Sequence, residues 1–183
     1  MDNALRLFLV LFSFGLIISC QLDRNKKVER QKFQFKVGAD ANLFFRNVRQ
    51  IYYDRESPDG KWQAYRLTDR TITGTFISPV IVINWLKDEA YLLIESSDDL
   101  AEEDFFSLII EDEASLKKDT LILKDRGRER MLEFGSRIYE AIQKKQSIKI
   151  LKGENYIPLF PSDTTRDSFR LVMADFYRLT GVF

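Results

Sequence analysis

Polar and apolar residues alternate with period two through much of the first half of the chain. Phe33, Phe35 and Val37 fall on one side and Lys32, Gln34 and Lys36 on the other, which predicts a strand. Residues 48–55 predict a second strand, with Ile51 and Tyr53 on one side. Ser57-Pro58-Asp59-Gly60 then supplies turn chemistry, because proline fixes φ and glycine tolerates positive φ. In 61–68, Trp62 and Ala64 alternate against Tyr65 and Leu67. The stretch 70–77 is threonine-rich, with Ile72 and Phe76 as apolar anchors. Residues 79–86 are β-branched and almost continuously apolar, which places that strand centrally. Lys87-Asp88-Glu89 turns the chain, and 90–95 returns as a hairpin partner. Shorter strands are expected at 105–111 and 120–124.

The period changes in the second half. Over 128–145, Met131, Phe134, Ile138, Ala141 and Ile142 form one helical stripe. Gly135 lies on that stripe; it weakens the helix by about 1 kcal/mol relative to alanine but permits close packing. Short strands follow at 147–151 and 156–160, the latter confined by Pro158 to an edge or an irregular path. Pro161 and Ser162-Asp163 announce a helix start. Residues 165–180 carry Phe169, Val172, Met173, Phe176 and Leu179 on one side, and Gly181 ends the helix. Strands followed by helices predict an α+β fold: a curved antiparallel sheet built from hairpins, with two helices from the C-terminal half packed on it.

The first twenty residues follow a different pattern. Residues 7–18 are apolar apart from Ser13 and Gly15. As a helix, that run is about 18 Å long. Crossing a bilayer takes roughly 20 residues, so the length favours the core of a signal peptide over a permanent span. It ends in Ile17-Ile18-Ser19-Cys20, and Cys20 is the single cysteine of the chain. This sequence resembles the lipobox of bacterial lipoproteins, with Ile17 at the aliphatic position and Ser19 as the small residue before cleavage. The resemblance implies cleavage between Ser19 and Cys20, a diacylglycerol thioether on Cys20, and a fatty acyl group such as palmitate on the new amino terminus. Two or three chains anchor stably, since each buried CH₂ contributes about 0.8 kcal/mol and one chain alone is marginal. Gln21 stands where an aspartate would imply retention at the inner membrane. The resemblance therefore implies an outer-membrane anchor facing the periplasm. The expected organisation is a signal peptide at 1–19, a basic tether at 20–31 and a single α+β domain at 32–183. Cations at Arg24, Lys26, Lys27, Arg30, Lys32 and Lys36 make the stretch after Cys20 either a patch for anionic lipid or a solvated linker.

Composition excludes much chemistry. The 183 residues hold 28 Lys and Arg, 28 Asp and Glu, and no histidine. Imidazole bases, histidine metal ligands and intrachain disulfides are impossible. Zero net charge argues against nucleic acid as a partner, because a general binder needs surplus cations to displace phosphate counterions. Neither a phosphate-binding glycine loop nor a dinucleotide fingerprint occurs, and no cofactor is expected. The nonapeptide Ser57–Tyr65 resembles a blade motif of Tol-type periplasmic β-propellers, but it occurs once, which is too few for a propeller.

Nine acids crowd 95–113 without an intervening cation. They read as a solvated loop, as oxygen ligands for Ca²⁺, or as paired carboxylates of a hydrolase acting on wall or glycan. Ser115 and Lys118 match Ser-x-x-Lys without the companion motifs of that enzyme family. Arg126, Arg128 and Arg130 gather where a helix starts, an unfavourable place for cations; they are candidate contacts for phosphate or sulfate groups of an envelope glycolipid. Trp62, Trp85 and the Tyr52-Tyr53 pair suit either core or ligand platform. The leading expectation is a non-catalytic, membrane-anchored envelope lipoprotein. It would be held in membrane lipid through acylated Cys20 and would bind an envelope protein or polymer.

Overall fold

A computed structural model of the chain describes residues 26–58, 60–70, 74–101, 105–112 and 116–183. The expected signal segment, Ser19 and Cys20 lie outside them, as does Ser115. Among the described residues, no helix is long and apolar enough to cross a membrane.

The fold is α+β. Strands β1 (Tyr53–Glu56), β2 (Trp62–Leu67), β3 (Ile77–Asn84) and β4 (Glu89–Ser96) pair in sequence order as an antiparallel meander. Strands β5 (Phe106–Asp112), β6 (Lys117–Leu123), β7 (Ser147–Lys152) and β8 (Asn155–Pro158) form a second antiparallel sheet in the order β6-β5-β7-β8. The hairpins expected from alternation are present, but the strands divide between two four-stranded sheets. Strand β3 is internal to its sheet, as its continuous apolar run implies, and β8 is an edge strand, as Pro158 requires. The β2–β3 pairing stops at Tyr65–Ile81, short of Pro79, whose nitrogen has no hydrogen to donate.

Two long helices pack on the sheets, one of them on both. The first, α3 (Arg128–Gln143), lies against β4, β6 and β7; the last, α4 (Asp163–Leu179), lies against α3, β3 and β4. Every residue of the two predicted stripes is buried. Removing such side chains from water stabilises the fold by about 1.5–3 kcal/mol each. Ser162 caps α4 through a reciprocal box with Thr165, and Gly181 follows it at φ 70°. Gly135 sits where α3 crosses both β4 and α4. A Cβ there would approach Leu92 Cδ2 to 2.8 Å and Met173 Sδ to 3.1 Å. The inner faces of both sheets contribute to one cluster of buried side chains.

Three segments depart from the alternation pattern. Residues 48–52 are helical rather than extended: α1 (Ala39–Phe44) continues through a π turn (Phe45–Arg49) and a 3₁₀ turn (Gln50–Tyr52) into β1. Tertiary anchors explain this. Phe45 packs its ring 5.6 Å from Tyr53 and 5.2 Å from Tyr65, and Arg49 reaches a carboxylate on α4. The stretch around Phe35 is extended but forms a single bridge, Lys36 to Glu89. Phe35 O accepts from Ala90 N and Val37 N donates to Asp88 O, both at 2.8 Å. Finally, the end of the expected tether is packed. Val28 is 3% exposed, and Arg30 forms ion pairs with Glu133 and Glu140 on α3. A short helix, α2 (Asp98–Ala101), links the sheets.

Candidate binding surface

The three arginines expected to act together go to three different places. Arg126 lies over the Phe106 ring at 5.1 Å. Arg130 lines a shallow hollow with Leu121, Lys124, Glu133 and Phe134. Arg128 lies over Phe35 at 4.6 Å and near Tyr91 at 5.8 Å, and its Nε donates to Glu129 at 3.0 Å. These contacts give a physical reason for cations at a helix start. Ring faces attract a guanidinium and offset its misfit with the helix dipole. No side chain caps α3 at Gly127, whose N–H instead donates to Asp125.

Arg128 closes a ladder of rings on the outer face of the first sheet. Side chains alternate along β2, so Trp62 and Ala64 project away from the helices while Tyr65 and Leu67 project toward them. Register places Ala64 beside Val82, and Val82 beside Tyr91. Trp62 packs on Tyr91 with centroids 5.4 Å apart. Tyr91 stacks on Phe35 at 5.7 Å and 25°, and Arg128 covers Phe35. The Tyr91 hydroxyl donates to Glu89, and burial together with that carboxylate holds its pKa above the usual value. The rings of Trp62, Tyr91 and Phe35 are half-buried. At the open end, Trp85 and Leu86 project from the β3–β4 turn, and Trp85 Nε1 donates to Gly60 O at 2.7 Å. This bond ties the two hairpin turns together. Of the aromatics named from sequence, Tyr53 is core, Trp62 belongs to the ladder, and Trp85 and Tyr52 are exposed.

Three of the described acids of the 95–113 stretch, Glu95, Asp99 and Glu111, are engaged by cations from other strands. Arg66 donates to both Glu95 oxygens, through Nε at 2.9 and 3.0 Å, and to Glu56 at 2.7 Å. Asp99 accepts from Lys152 at 2.6 Å, from Thr75 at 2.5 Å and from Ser97, and these donors hold its carboxyl well below the usual range. Glu111 is held down to about 2 by Lys118 and Lys149, at 2.8 and 2.7 Å. Lys118 of the Ser-x-x-Lys match is thus an ion-pair partner. A general acid needs the opposite shift, toward neutrality. Asp175 on α4 is the described carboxyl that moves up. Burial raises it, against the pull of Tyr53 and Arg49. It is sealed: Arg49 Nε donates to both its oxygens at 2.9 Å, Tyr53 OH at 2.7 Å and Arg178 at 3.2 Å, and the residue is 2% exposed. Among the described residues, no three acids gather as metal ligands would.

A cavity of about 30 Å³ lies between Phe76, Pro79, Leu159 and Phe169, the space of a single water. The arrangement can hold a flat, partly apolar ligand against rings and a guanidinium. Compared with known proteins, the chain matches no family model, no curated protein and no solved structure. Sequence reasoning named Arg128 and Trp62 but missed Phe35 and Tyr91 as their partners. Part of the signal was present in alternation: Trp62 and Tyr91 lie on the outward register of their strands, whereas Phe35 shares its face with buried Val37, and only tertiary packing brings the three rings together.

Proposed function

We propose that this protein is a bacterial envelope lipoprotein. Acylated Cys20 holds it at the outer membrane facing the periplasm, and its α+β domain is a non-catalytic binding module. Its partner is an envelope polymer that presents sugar ring faces and acidic groups. The observation that carries this reading is the Trp62–Tyr91–Phe35–Arg128 ladder, an open aromatic strip ending in a guanidinium. Ring faces bury apolar ligand surface, and a guanidinium at their end selects anionic groups. Carboxylates held low by ion pairs support binding over hydrolysis.

Two measurements test the proposal. Tryptophan fluorescence titrated with soluble anionic wall-polymer fragments should show saturable binding. Tyr91→Ala and Arg128→Met should each weaken it by about tenfold, near 1.4 kcal/mol, the range of a lost ring or cation contact. Unaltered affinity in both variants rejects the ladder as the site, and release of new reducing ends rejects the non-catalytic reading. Separately, Cys20→Ala should abolish fatty-acid labelling and membrane fractionation; retained labelling would reject the anchor.

A further inference from the structure

The segment between Gly38 and β1 exposes more apolar surface than a domain in water needs. Its inward anchors are Phe45 and Arg49. Leu43, Phe44, Val48, Ile51 and Tyr52 face outward, with Leu43 60% and Ile51 74% exposed. A run of apolar residues on one outward helical face marks a surface built for another phase or partner.

Two observations identify what covers it. The first is where the chain enters the fold. Lys26 Nζ sits over the Phe183 ring at 5.2 Å, and Gln34 donates to Thr180 O at 2.7 Å, both beyond the C-terminal end of α4. Arg49, in the middle of the apolar segment, binds Asp175 on the same end of that helix. Five residues of helix separate Asp175 from Thr180, about 8 Å of rise. The described chain therefore begins at the same end of α4 as the apolar segment, where Gln143 of α3 also donates to Lys26 O. The six residue steps from Cys20 to Lys26 reach at most about 20 Å. The second observation is charge. Residues 26–52 hold seven Lys or Arg against Glu29 and Asp40, a surplus of five, which is three once Arg30 and Arg49 are set against the helix carboxylates they bind. Residues 53–183 hold nineteen against twenty-four acids, a deficit of five. The excess cations share a stretch of chain with the exposed apolar side chains, and anionic lipid attracts both.

We infer that the helical segment Ala39–Tyr52 lies in the headgroup boundary of the bilayer that holds the acylated Cys20. Leu43, Phe44, Val48 and Ile51 insert there, with Arg46 and the lysines of 26–36 against anionic headgroups. The inference rests on the lipoprotein reading and goes beyond it by fixing which side of the domain meets lipid. Phe45 packs on Tyr65 beneath the first sheet, whereas Trp62 projects from its other face. A domain seated on Ala39–Tyr52 turns the Trp62 end of the aromatic ladder away from the membrane.

The test uses the full acylated chain in phosphatidylethanolamine–phosphatidylglycerol vesicles. Spin labels are placed through Leu43→Cys, Val48→Cys and Ile51→Cys, with Thr120→Cys on the second sheet as control. Labels at 43, 48 and 51 should lose accessibility to an aqueous nickel chelate and gain it to oxygen, while 120 stays aqueous. Introducing Val48→Glu and Ile51→Glu together should abolish the protection at 43 yet leave acylation and membrane fractionation unchanged. If Cys20 is acylated and labels 43, 48 and 51 are as aqueous as 120, the orientation is wrong and the lipoprotein reading stands. Immobile labels with a doubled mass in solution would assign the patch to a second copy and overturn the inference. An intact Met1 with an unmodified thiol would overturn both.

Discussion

Asp175 concentrates much of the residue-scale physics. A carboxyl that is almost wholly buried is costly unless donors surround it, and here Arg49, Tyr53 and Arg178 do. The cluster joins α4, the π turn and β1, three elements that hydrophobic contact alone would leave free to slide. The Tyr53 hydroxyl is pushed far above its usual pKa by burial first and by Asp175 next, so it stays a donor. Removing the carboxylate leaves the largely buried Arg49 and the half-buried Arg178 without their opposite charge. Asp175→Asn should therefore lower stability by about 3 kcal/mol or more, measured by urea unfolding. A loss below about 1 kcal/mol would show that water reaches the site. Nothing in the local sequence marks Asp175 as buried. It occupies one polar position among the apolar ones of α4, and two of its three partners, Arg49 and Tyr53, come from more than a hundred residues away.

At the scale of elements, periodicity was a good guide wherever one face of an element is buried against a neighbour. The stripes of α3 and α4 are the clearest case, and the β3–β4 hairpin is another. Periodicity failed at 48–52, where apolar residues face outward. Phe44, Val48, Ile51 and Tyr52 follow the i, i+4, i+7, i+8 spacing of a helix. Ile51 and Tyr53 also satisfy the alternation of a strand, and Phe45 packing against Tyr65 decides between the two. Gly135 shows the converse, a position whose role follows from its neighbours. In an open helix, Gly→Ala gains about 1 kcal/mol. Here the added methyl meets buried Leu92 and Met173, and overpacking costs about 1–3 kcal/mol. Gly135→Ala should accordingly lower the thermal midpoint; a rise would mean that Met173 moves aside without strain.

For the whole molecule, acid is the informative variable. Asp99 and Glu111 have folded-state pKa values depressed by lysines, Asp99 chiefly by Lys152 and Glu111 by Lys118 and then Lys149. A depressed carboxyl binds protons more readily when unfolded, so its stabilisation is complete above the unfolded value and fades as pH falls through the folded one. The window runs from the ordinary glutamate value of 4.5 down to about 2. Unfolding midpoints should be flat from neutrality to about 4.5 and fall below it, with a shallower fall in Lys149→Met. A midpoint that does not move between those limits would show these pairs to be solvent-screened. The pairs also bear on design: Lys152 and Thr75 reach Asp99, linking the second sheet and the loop before β3 to α2. Acid is therefore expected to loosen the junction between the two sheets.

Sequence by itself determined the α+β class, both long helices with their buried faces, the caps at Ser162 and Gly181, and the edge position of β8. Each of these depends on residues near one another along the chain, so local periodicity and turn chemistry suffice. It also supplied the lipobox resemblance at Cys20, which needs only four consecutive residues. Tertiary structure decided the division into two sheets, the helical path of Ala39–Tyr52, the burial of Asp175 and the joining of Phe35, Trp62, Tyr91 and Arg128. Those features depend on contacts between distant segments. Which segments meet is fixed by packing and charge pairing in three dimensions, and a single strand of letters carries no direct record of it.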